Sequence, residues 1–189
     1  MSDPRHDLLK AANQISSAGL VVGSAGNISV RLPGNRVLIK AAGARLGEMG
    51  QDDLAVIDMD GQQVEVGPAP STEYRVHLAI YASRPTVNAI VHTHSTYASA
   101  LAYLKQPLLN VNPEASEIVG EVGFVPELPH GTQELADAVA DALKTRNAAL
   151  MMKHGPVVVG ATIAEATDRA LYLEEAAKIT YLITLAGKS

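Results

Sequence analysis

The chain has 189 residues, 47% of them hydrophobic, and a formal net charge of −5 at pH 7. This length and apolar fraction exclude a disordered or fibrous protein and predict a single domain over residues 1–189. The absence of cysteine excludes disulfide bonds and thiolate metal ligands, so that histidine and carboxylate remain as the strong metal ligands.

The predicted elements alternate between helices and strands. An amphipathic helix over residues 5–18 comes first, and Gly19 is its stop signal. Strands are predicted at 28–32, 36–40, 54–58, 63–66, around His92, at 122–125 and on both sides of Gly155-Pro156. Further helices are predicted from Thr72, at 97–104, 132–146 and 163–185. Hairpins mixed with helices predict an α/β fold with a mixed, largely antiparallel sheet covered by helices.

The N-terminus has no apolar signal core, and no segment approaches the length that spans a bilayer. We therefore expect a cytoplasmic protein without a membrane partner. The mild acidity and the lack of a basic stripe argue against nucleic acid as a partner.

A pair of histidines, His92 and His94, lies in one of the predicted strands. Residues two apart on a strand project from the same face, roughly 6.6 Å apart, which is close enough to hold one metal ion together. Imidazole nitrogen suits zinc and other transition metals. Such a pair on its own is weak evidence, because it also occurs by chance.

A third histidine and a carboxylate are candidates to complete a metal site. His154 follows a short apolar run that predicts a buried strand ending at the Gly155-Pro156 turn. With Ser71 as N-cap of the helix from Thr72, Glu73 falls in the first turn, where the helix dipole favours the carboxylate. Each residue also has a purely structural interpretation, His154 as a turn residue and Glu73 as a first-turn acid.

Glycine-rich backbone and a helix N-terminus indicate a possible anion site. Gly26-Asn27, Gly43 and Ser71-Thr72 can offer backbone N–H groups, to which phosphate binds readily. Simple turns and a helix cap would give the same pattern.

Four segments together resemble the class II aldolase and adducin head family: residues 23–31, 70–77, 91–95, and His154-Gly155 followed by Gly160. Their order and spacing match the family from about residue 7 to residue 186. The resemblance implies a three-layer α/β/α architecture, with zinc bound by His92, His94 and His154 and with Glu73 as the acid/base. It assigns the binding of a substrate phosphate to Gly26, Asn27, Ala42, Gly43, Ser71 and Thr72.

The activity that the resemblance implies is zinc-dependent aldol cleavage of a phosphorylated ketose of the L-fuculose 1-phosphate type. The products would be dihydroxyacetone phosphate and an aldehyde, formed through a metal-stabilised enediolate. Sugar-phosphate epimerases, dehydratases and decarboxylases use the same metal site, and adducin heads are non-catalytic interaction modules, so these remain alternatives. The resemblance also implies a homotetramer with the active site at a subunit junction.

The sequence departs from the aldolase pattern at two places. Ala42 stands where the aldolases have a hydroxyl residue, and Lys40 or Arg45 lies near enough in sequence to compensate. A catalytic tyrosine from a neighbouring subunit is expected between residues 108 and 116, but none occurs between Tyr103 and Tyr172.

Other side chains have less definite predictions. Glu114 or Glu117 could replace the missing tyrosine, although acids in polar loops are usually only solvated. We expect no tail after Ser189 that closes over the substrate. His77 either orients an active-site group or is a packed helix residue, whereas His130 is predicted to lie in a surface loop.

Overall fold

The computed structural model describes residues 3–187, so the outermost two residues at each end of the predicted domain lie outside the described part. A seven-stranded sheet forms its centre, in the order β3-β2-β1-β4-β7-β6-β5. The strands are β1 (Asn27–Leu32), β2 (Arg36–Lys40), β3 (Leu54–Asp58), β4 (Ala89–His92), β5 (Val122–Val125), β6 (Ala148–Met151) and β7 (Gly155–Gly160). Neighbouring strands are antiparallel except for the parallel pair β5 and β6.

Six α-helices within residues 3–187 cover the two faces of the sheet. They are α1 (Pro4–Ser17), α2 (Tyr74–Ser83), α3 (Thr96–Leu104), α4 (Pro113–Val119), α5 (Gln133–Ala142) and α6 (Ile163–Leu185). Helices α2 and α5 pack together against one face, and α1, α3, α4 and α6 cover the other. The predicted α/β fold with a mixed, largely antiparallel sheet between helical layers is therefore confirmed.

The central strands are apolar on both faces because each face meets a helical layer. Val37 and Ile39 of β2 pack towards α2 and α5, whereas Leu38 between them packs in the opposite cluster. Alternate side chains of a strand point to opposite faces, so a continuous apolar run is what a strand between two layers requires.

Several predicted elements differ from the observed ones. The strand predicted at 63–66 is wrong: only an isolated bridge joins Ile57 to Gln63, and Val66 is fully exposed. The segment runs beside β3, the outermost strand on that side of the sheet, and Val64 and Val66 are exposed there. An apolar alternation without a covering layer gains little from pairing. The helix predicted over 132–146 ends at Ala142, and α4 was not predicted at all.

Two boundaries near the candidate site also need correction. Helix α2 begins at Tyr74 with Glu73 as its N-cap residue, so the prediction of Ser71 as N-cap and Glu73 in the first turn is wrong. The main-chain N–H of Tyr74 already bonds to the carbonyl of Ser71 in a preceding turn, 3.1 Å away. Residues Gly155-Pro156 begin β7 and do not form the turn after β6.

No helix within residues 3–187 combines the length and apolarity that crossing a membrane requires.

Candidate metal centre

The imidazoles of His92, His94 and His154 converge where the central strand β4 ends and its neighbour β7 begins. The Nε2 atom of His92 lies 3.1 Å from the Nε2 atom of His94 and 3.1 Å from that of His154. Two imidazole nitrogens on one tetrahedral zinc ion would be about 3.3 Å apart. The three side chains could therefore hold a divalent metal ion.

Each histidine has a different backbone environment: a strand end for His92, a loop for His94 and a turn for His154. His92 is the last residue of β4, but His94 lies beyond it, so the prediction that both histidines share a strand is wrong. A hydrogen bond of 3.2 Å from the main-chain N–H of His94 to the carbonyl of Leu20 holds the loop. His154 precedes β7, in a turn where Lys153 has a positive φ of 57°.

Two glycines allow the main chain to approach this segment. A Cβ atom on Gly26 would lie 2.7 Å from the carbonyl oxygen of His92, and one on Gly155 would lie 2.3 Å from that of Thr93. Both contacts are too short for any side chain. The motifs around these two glycines are therefore required for the position of the histidines.

His92 is held in the form that binds metal. Its Nδ1–H group donates a hydrogen bond of 2.9 Å to the carbonyl oxygen of Pro156, which leaves the lone pair on Nε2 directed at the centre. Burial lowers the pKa of His92 to about 3, against the raising effect of Glu73, so the ring is neutral at pH 7. Burial also lowers the pKa of His94.

Glu73 lies against the same three rings. Its Oε1 atom is 2.9 Å from Nε2 of His154, and its Oε2 atom is 3.4 Å from Nε2 of His92. Burial by itself would raise the pKa of Glu73, but the hydrogen bond with His154 and the neighbouring imidazoles outweigh it and lower the pKa. The ionised carboxylate can thus act as a fourth metal ligand or as a base.

A buried chain of hydrogen bonds orients Glu73. Its Oε2 atom accepts a bond of 2.7 Å from the amide of Asn27, whose carbonyl oxygen lies 2.5 Å from Nε2 of His77. Nδ1 of His77 lies 2.7 Å from the hydroxyl of Ser29, which lies 2.8 Å from the hydroxyl of Tyr81. Because a carboxylate only accepts, each donor in the chain is determined: Tyr81 donates to Ser29, Ser29 to His77, His77 to Asn27, and Asn27 to Glu73.

His77 is fully buried, as a packed helix residue would be, and it also hydrogen-bonds to the side chain of Asn27 beside Glu73. Burial lowers its pKa to about 4, so it is a neutral link in the chain.

A cavity of about 280 Å³ opens in front of the histidines. All six residues predicted to bind phosphate line it: Gly26, Asn27, Ala42, Gly43, Ser71 and Thr72. Glu73, His94 and His154 lie on its walls as well, whereas His92 lies behind them. The fold thus brings the predicted metal, acid/base and anion-binding residues to one place.

Ala42, one of the six residues assigned to phosphate binding, has a main-chain donor that is already used. The main-chain N–H of Ala42 bonds to the carbonyl of Ala69, 2.9 Å away, and is not available to a ligand. The N–H groups of Gly43 and Thr72 make no hydrogen bond to any residue between 3 and 187.

His130 is a site residue that the sequence interpretation missed. It does lie in an exposed loop, but its ring stacks edge-on against His154 with centroids 4.4 Å apart, and its Nδ1 atom is 3.9 Å from Glu73. His130 is not part of any motif shared with the other histidines. The only feature of the sequence that could have indicated its place at the cluster is that it is a histidine. Glu114 and Glu117, by contrast, lie exposed on α4 and outside the cavity of their own chain.

In the described residues, an α/β fold carries three histidines that could hold a divalent metal ion, together with one carboxylate, at the wall of a cavity, as is typical of a metal-dependent enzyme. Residues 6–181 match the class II aldolase and adducin N-terminal domain family, and the chain belongs to that family.

Its relatives in this family differ in activity. The chain is 35% identical to an L-fuculose phosphate aldolase from Methanococcus vannielii, over 94% of this chain and 95% of that one. It is 39% identical to a 3-oxo-tetronate 4-phosphate decarboxylase from Haemophilus influenzae, over 90% of this chain and 82% of the relative. Among solved structures, YgbL from Klebsiella pneumoniae superposes with a TM-score of 0.90 at 34% identity, covering 95% of this chain and 89% of that one.

Proposed function

We propose that this protein is a zinc-dependent aldolase that cleaves a phosphorylated ketose of the L-fuculose 1-phosphate type into dihydroxyacetone phosphate and an aldehyde. The observation that carries the proposal is the contact of Glu73 with the histidine cluster at the wall of the cavity. The similarity to fuculose-phosphate aldolases over nearly the whole chain supports it.

His92, His94 and His154 would hold the zinc ion. When bound there, it would withdraw electron density from the carbonyl and hydroxyl oxygens of the substrate and make the neighbouring carbon acidic. Three neutral imidazoles leave the full positive charge of the ion available for this purpose.

Glu73 is the group that moves the proton. In cleavage its carboxylate takes up the proton that the substrate hydroxyl loses as it becomes the aldehyde carbonyl, and it gives a proton to the carbon next to the ketone after the carbon–carbon bond has broken. Condensation is the reverse: the carboxylate removes the proton from that carbon and returns it to the new hydroxyl. The amide of Asn27 fixes the Oε2 atom of this carboxylate, which also lies near His92, and the Oε1 atom lies against His154. The N–H groups of Gly43 and Thr72 would bind the phosphate, which orients the ketose.

Decarboxylation of a phosphorylated 3-oxo acid is the second candidate. It has specific support from the 39% identity to the decarboxylase relative and from the absence of tyrosine between Tyr103 and Tyr172. The two reactions share the stabilised anion and differ in the fragment that leaves, which is an aldehyde in one and carbon dioxide in the other.

The deciding experiment incubates the zinc-loaded protein with ketose 1-phosphates, ketose 5-phosphates and 3-oxo acid phosphates, and follows triose phosphate, epimer, dehydration product and carbon dioxide separately. We expect triose phosphate. Release of carbon dioxide instead would refute the aldolase proposal and support the decarboxylase. Matched incubations with a chelator should abolish product in either case.

Metal content separates an enzyme from an interaction module. The proposal requires that the purified protein binds about one zinc ion per chain, as measured by metal analysis. A protein that stays free of metal after incubation with zinc, and inactive on the whole panel, would instead support the adducin-like alternative.

A further inference from the structure

His130 lines the cavity with a ring whose nitrogen atoms have no hydrogen-bond partner among residues 3–187. Its side chain is 69% exposed, and the ring stands edge-on against His154 with centroids 4.4 Å apart. A neutral imidazole has one N–H donor and one acceptor, and both are available here to a ligand in the cavity.

The loop that carries His130 is fixed by hydrogen bonds on both sides of this residue. The main-chain carbonyl of Gly131 accepts a bond of 3.2 Å from the guanidinium group of Arg75. The main-chain carbonyl of Pro129 accepts a bond of 2.8 Å from the hydroxyl of Thr132, the N-cap residue of α5. The backbone of His130 therefore has a defined position, although its side chain is exposed.

The spacing between His130 and Glu73 suits one oxygen atom of a ligand. The Nδ1 atom of His130 lies 3.9 Å from the Oε1 atom of Glu73, which is too far for a direct hydrogen bond. An oxygen atom ~2.8 Å from both would make two hydrogen bonds with an angle of ~90° between them. The carboxylate favours the imidazole tautomer with its proton on Nδ1, so the oxygen would accept from the ring and donate to the carboxylate. An oxygen that accepts and donates in this way belongs to a hydroxyl group.

The other side chains considered for the departing oxygen lie elsewhere in this chain. No tyrosine between residues 3 and 187 lines the cavity, and Glu114 and Glu117 lie on α4 outside it. His130 does line the cavity and lies beside both Glu73 and His154. Of the groups considered, His130 is therefore the one that the chain itself brings next to the proposed base.

We propose that His130 is a catalytic residue that donates a hydrogen bond to the substrate hydroxyl on the carbon that becomes the aldehyde. This inference rests on the proposed function. In cleavage the O–H bond breaks and its proton passes to Glu73, the oxygen becomes the aldehyde carbonyl, and the electron pair of the broken carbon–carbon bond stays on the carbon next to the ketone. Glu73 then gives the proton to that carbon. The N–H group of His130 stabilises the negative charge on the oxygen while its proton leaves.

The pairing of a donor with a carboxylate also discriminates between substrates. A substrate carboxylate can only accept hydrogen bonds, so in the same place it would face Glu73 with no proton between two like charges. The pair of His130 and Glu73 therefore favours a hydroxyl group at this position.

The test compares two variants of similar shape: His130→Leu has no N–H group, whereas His130→Asn keeps an amide N–H near the position of Nδ1. We expect His130→Leu to lower kcat for cleavage of L-fuculose 1-phosphate by about 10- to 100-fold, with a smaller change in KM, because a donor to the developing charge is lost. His130→Asn should retain most of kcat. His6→Leu, at an exposed histidine of α1, is the control and should equal wild type.

Deuterium exchange separates a catalytic role of His130 from a structural one. Zinc-loaded wild type in D₂O should exchange a carbon-bound proton of dihydroxyacetone phosphate, which requires Glu73 but no departing oxygen. His130→Leu should exchange at the rate of wild type and bind the same amount of zinc. Loss of exchange or of zinc in parallel with cleavage would show that His130 only maintains the site, and would overturn the inference.

The same measurements distinguish failure of this inference from failure of the proposed function. Equal kcat in His130→Leu and His130→Asn, with cleavage by wild type, would overturn the role of His130 and leave the aldolase intact. A wild type that releases no triose phosphate would refute the proposed function and this inference with it.

Discussion

Glu73 is the residue whose chemistry the proposed function needs most directly. We predict that Glu73→Gln lowers kcat by about 10²- to 10⁴-fold, because the amide cannot accept the proton from carbon. Steady-state kinetics on the substrate found in the panel, with zinc measured in the same samples, is the appropriate experiment. Glu65→Gln, an exchange at a surface carboxylate bound to Arg5, is the matched control and should retain full activity. Full turnover in Glu73→Gln would contradict the assignment of the base.

His77 gives a prediction about stability and pH. Its folded pKa of about 4 lies below the ordinary value of 6.5, so the unfolded chain takes up the proton first as the pH falls. Its contribution to the free energy of unfolding is therefore complete above pH 6.5 and falls by about 3 kcal/mol on the way to pH 4.

Urea unfolding of the metal-free protein at several pH values, in wild type and in His77→Gln, isolates this effect. The two proteins share all other titrating groups, so the variant should lose less stability between pH 6.5 and pH 4. Identical pH dependence would show that His77 is not a neutral buried residue.

At the residue scale the candidate histidine ligands and Glu73 were predicted from the four segments that resemble the family, two of which carry the glycines that let the main chains approach one another. Gly26 and Gly155 pass so close to the His92–Thr93 main chain that no other residue fits. His130 and the buried state of Lys40 were not recognisable, since they depend on how a loop and a strand end meet around the cavity.

The start of α3, directly after the segment that carries His92 and His94, depends on a residue from another helix. The carboxylate of Glu174 in α6 accepts hydrogen bonds of 2.9 Å from the main-chain N–H groups of Tyr97 and Ala98. Ser95, the N-cap residue of α3, makes no capping bond with its own side chain. The side chain of Glu174, which is remote in sequence, thus takes the place of the N-cap side chain of α3.

We predict that Glu174→Ala lowers the free energy of unfolding by about 1 to 2 kcal/mol, since two helix N–H groups lose a charged acceptor. The adjacent Glu175→Ala, at an exposed position with no such contact, should change it by less than about 0.5 kcal/mol. Chemical denaturation of both variants tests the difference. Equal effects would mean that the cap contributes nothing measurable.

Elements with strong local signals were predicted well. Strands β2, β3 and β5 and helix α6 begin and end where the pattern of apolar residues places them. The errors concern segments whose state is decided by what covers them: the 63–66 segment lacks a layer above it, whereas α4 forms because Ala115 and Val119 pack in the interior beneath α6. The pattern of apolar residues within a segment does not show which other element will pack against it.

For the whole molecule we propose that residues 1–189 unfold as one domain. The seven strands form one sheet, and both apolar clusters draw on strands from its two halves. Far-ultraviolet and near-ultraviolet circular dichroism of the zinc-loaded protein should therefore report a single transition with one midpoint. Two separated midpoints would indicate independent units.

We further propose a homotetramer with the active site at a subunit junction. Tyr103 and Leu104 at the end of α3 are 63% and 57% exposed, as apolar residues of a protein interface would be in an isolated chain. Light scattering should give about four times the chain mass of 19.8 kDa. Activity per chain should fall when dilution lowers this mass, and a fully active monomer would contradict the proposal.

The sequence by itself determined the family, the α/β architecture and the set of residues from which a metal site could be built. These follow from apolar periodicity, from turn residues, and from short motifs whose order and spacing along the chain resemble the family. Only the tertiary structure decided that Nε2 of His92 lies 3.1 Å from Nε2 of His94 and of His154, that a buried hydrogen-bond chain from Tyr81 orients Glu73, and that Lys40 is buried on the cavity wall. The physical reason is that each of these depends on burial and on contacts between residues far apart in the chain, which exist only after the sheet has paired and the helical layers have packed on it.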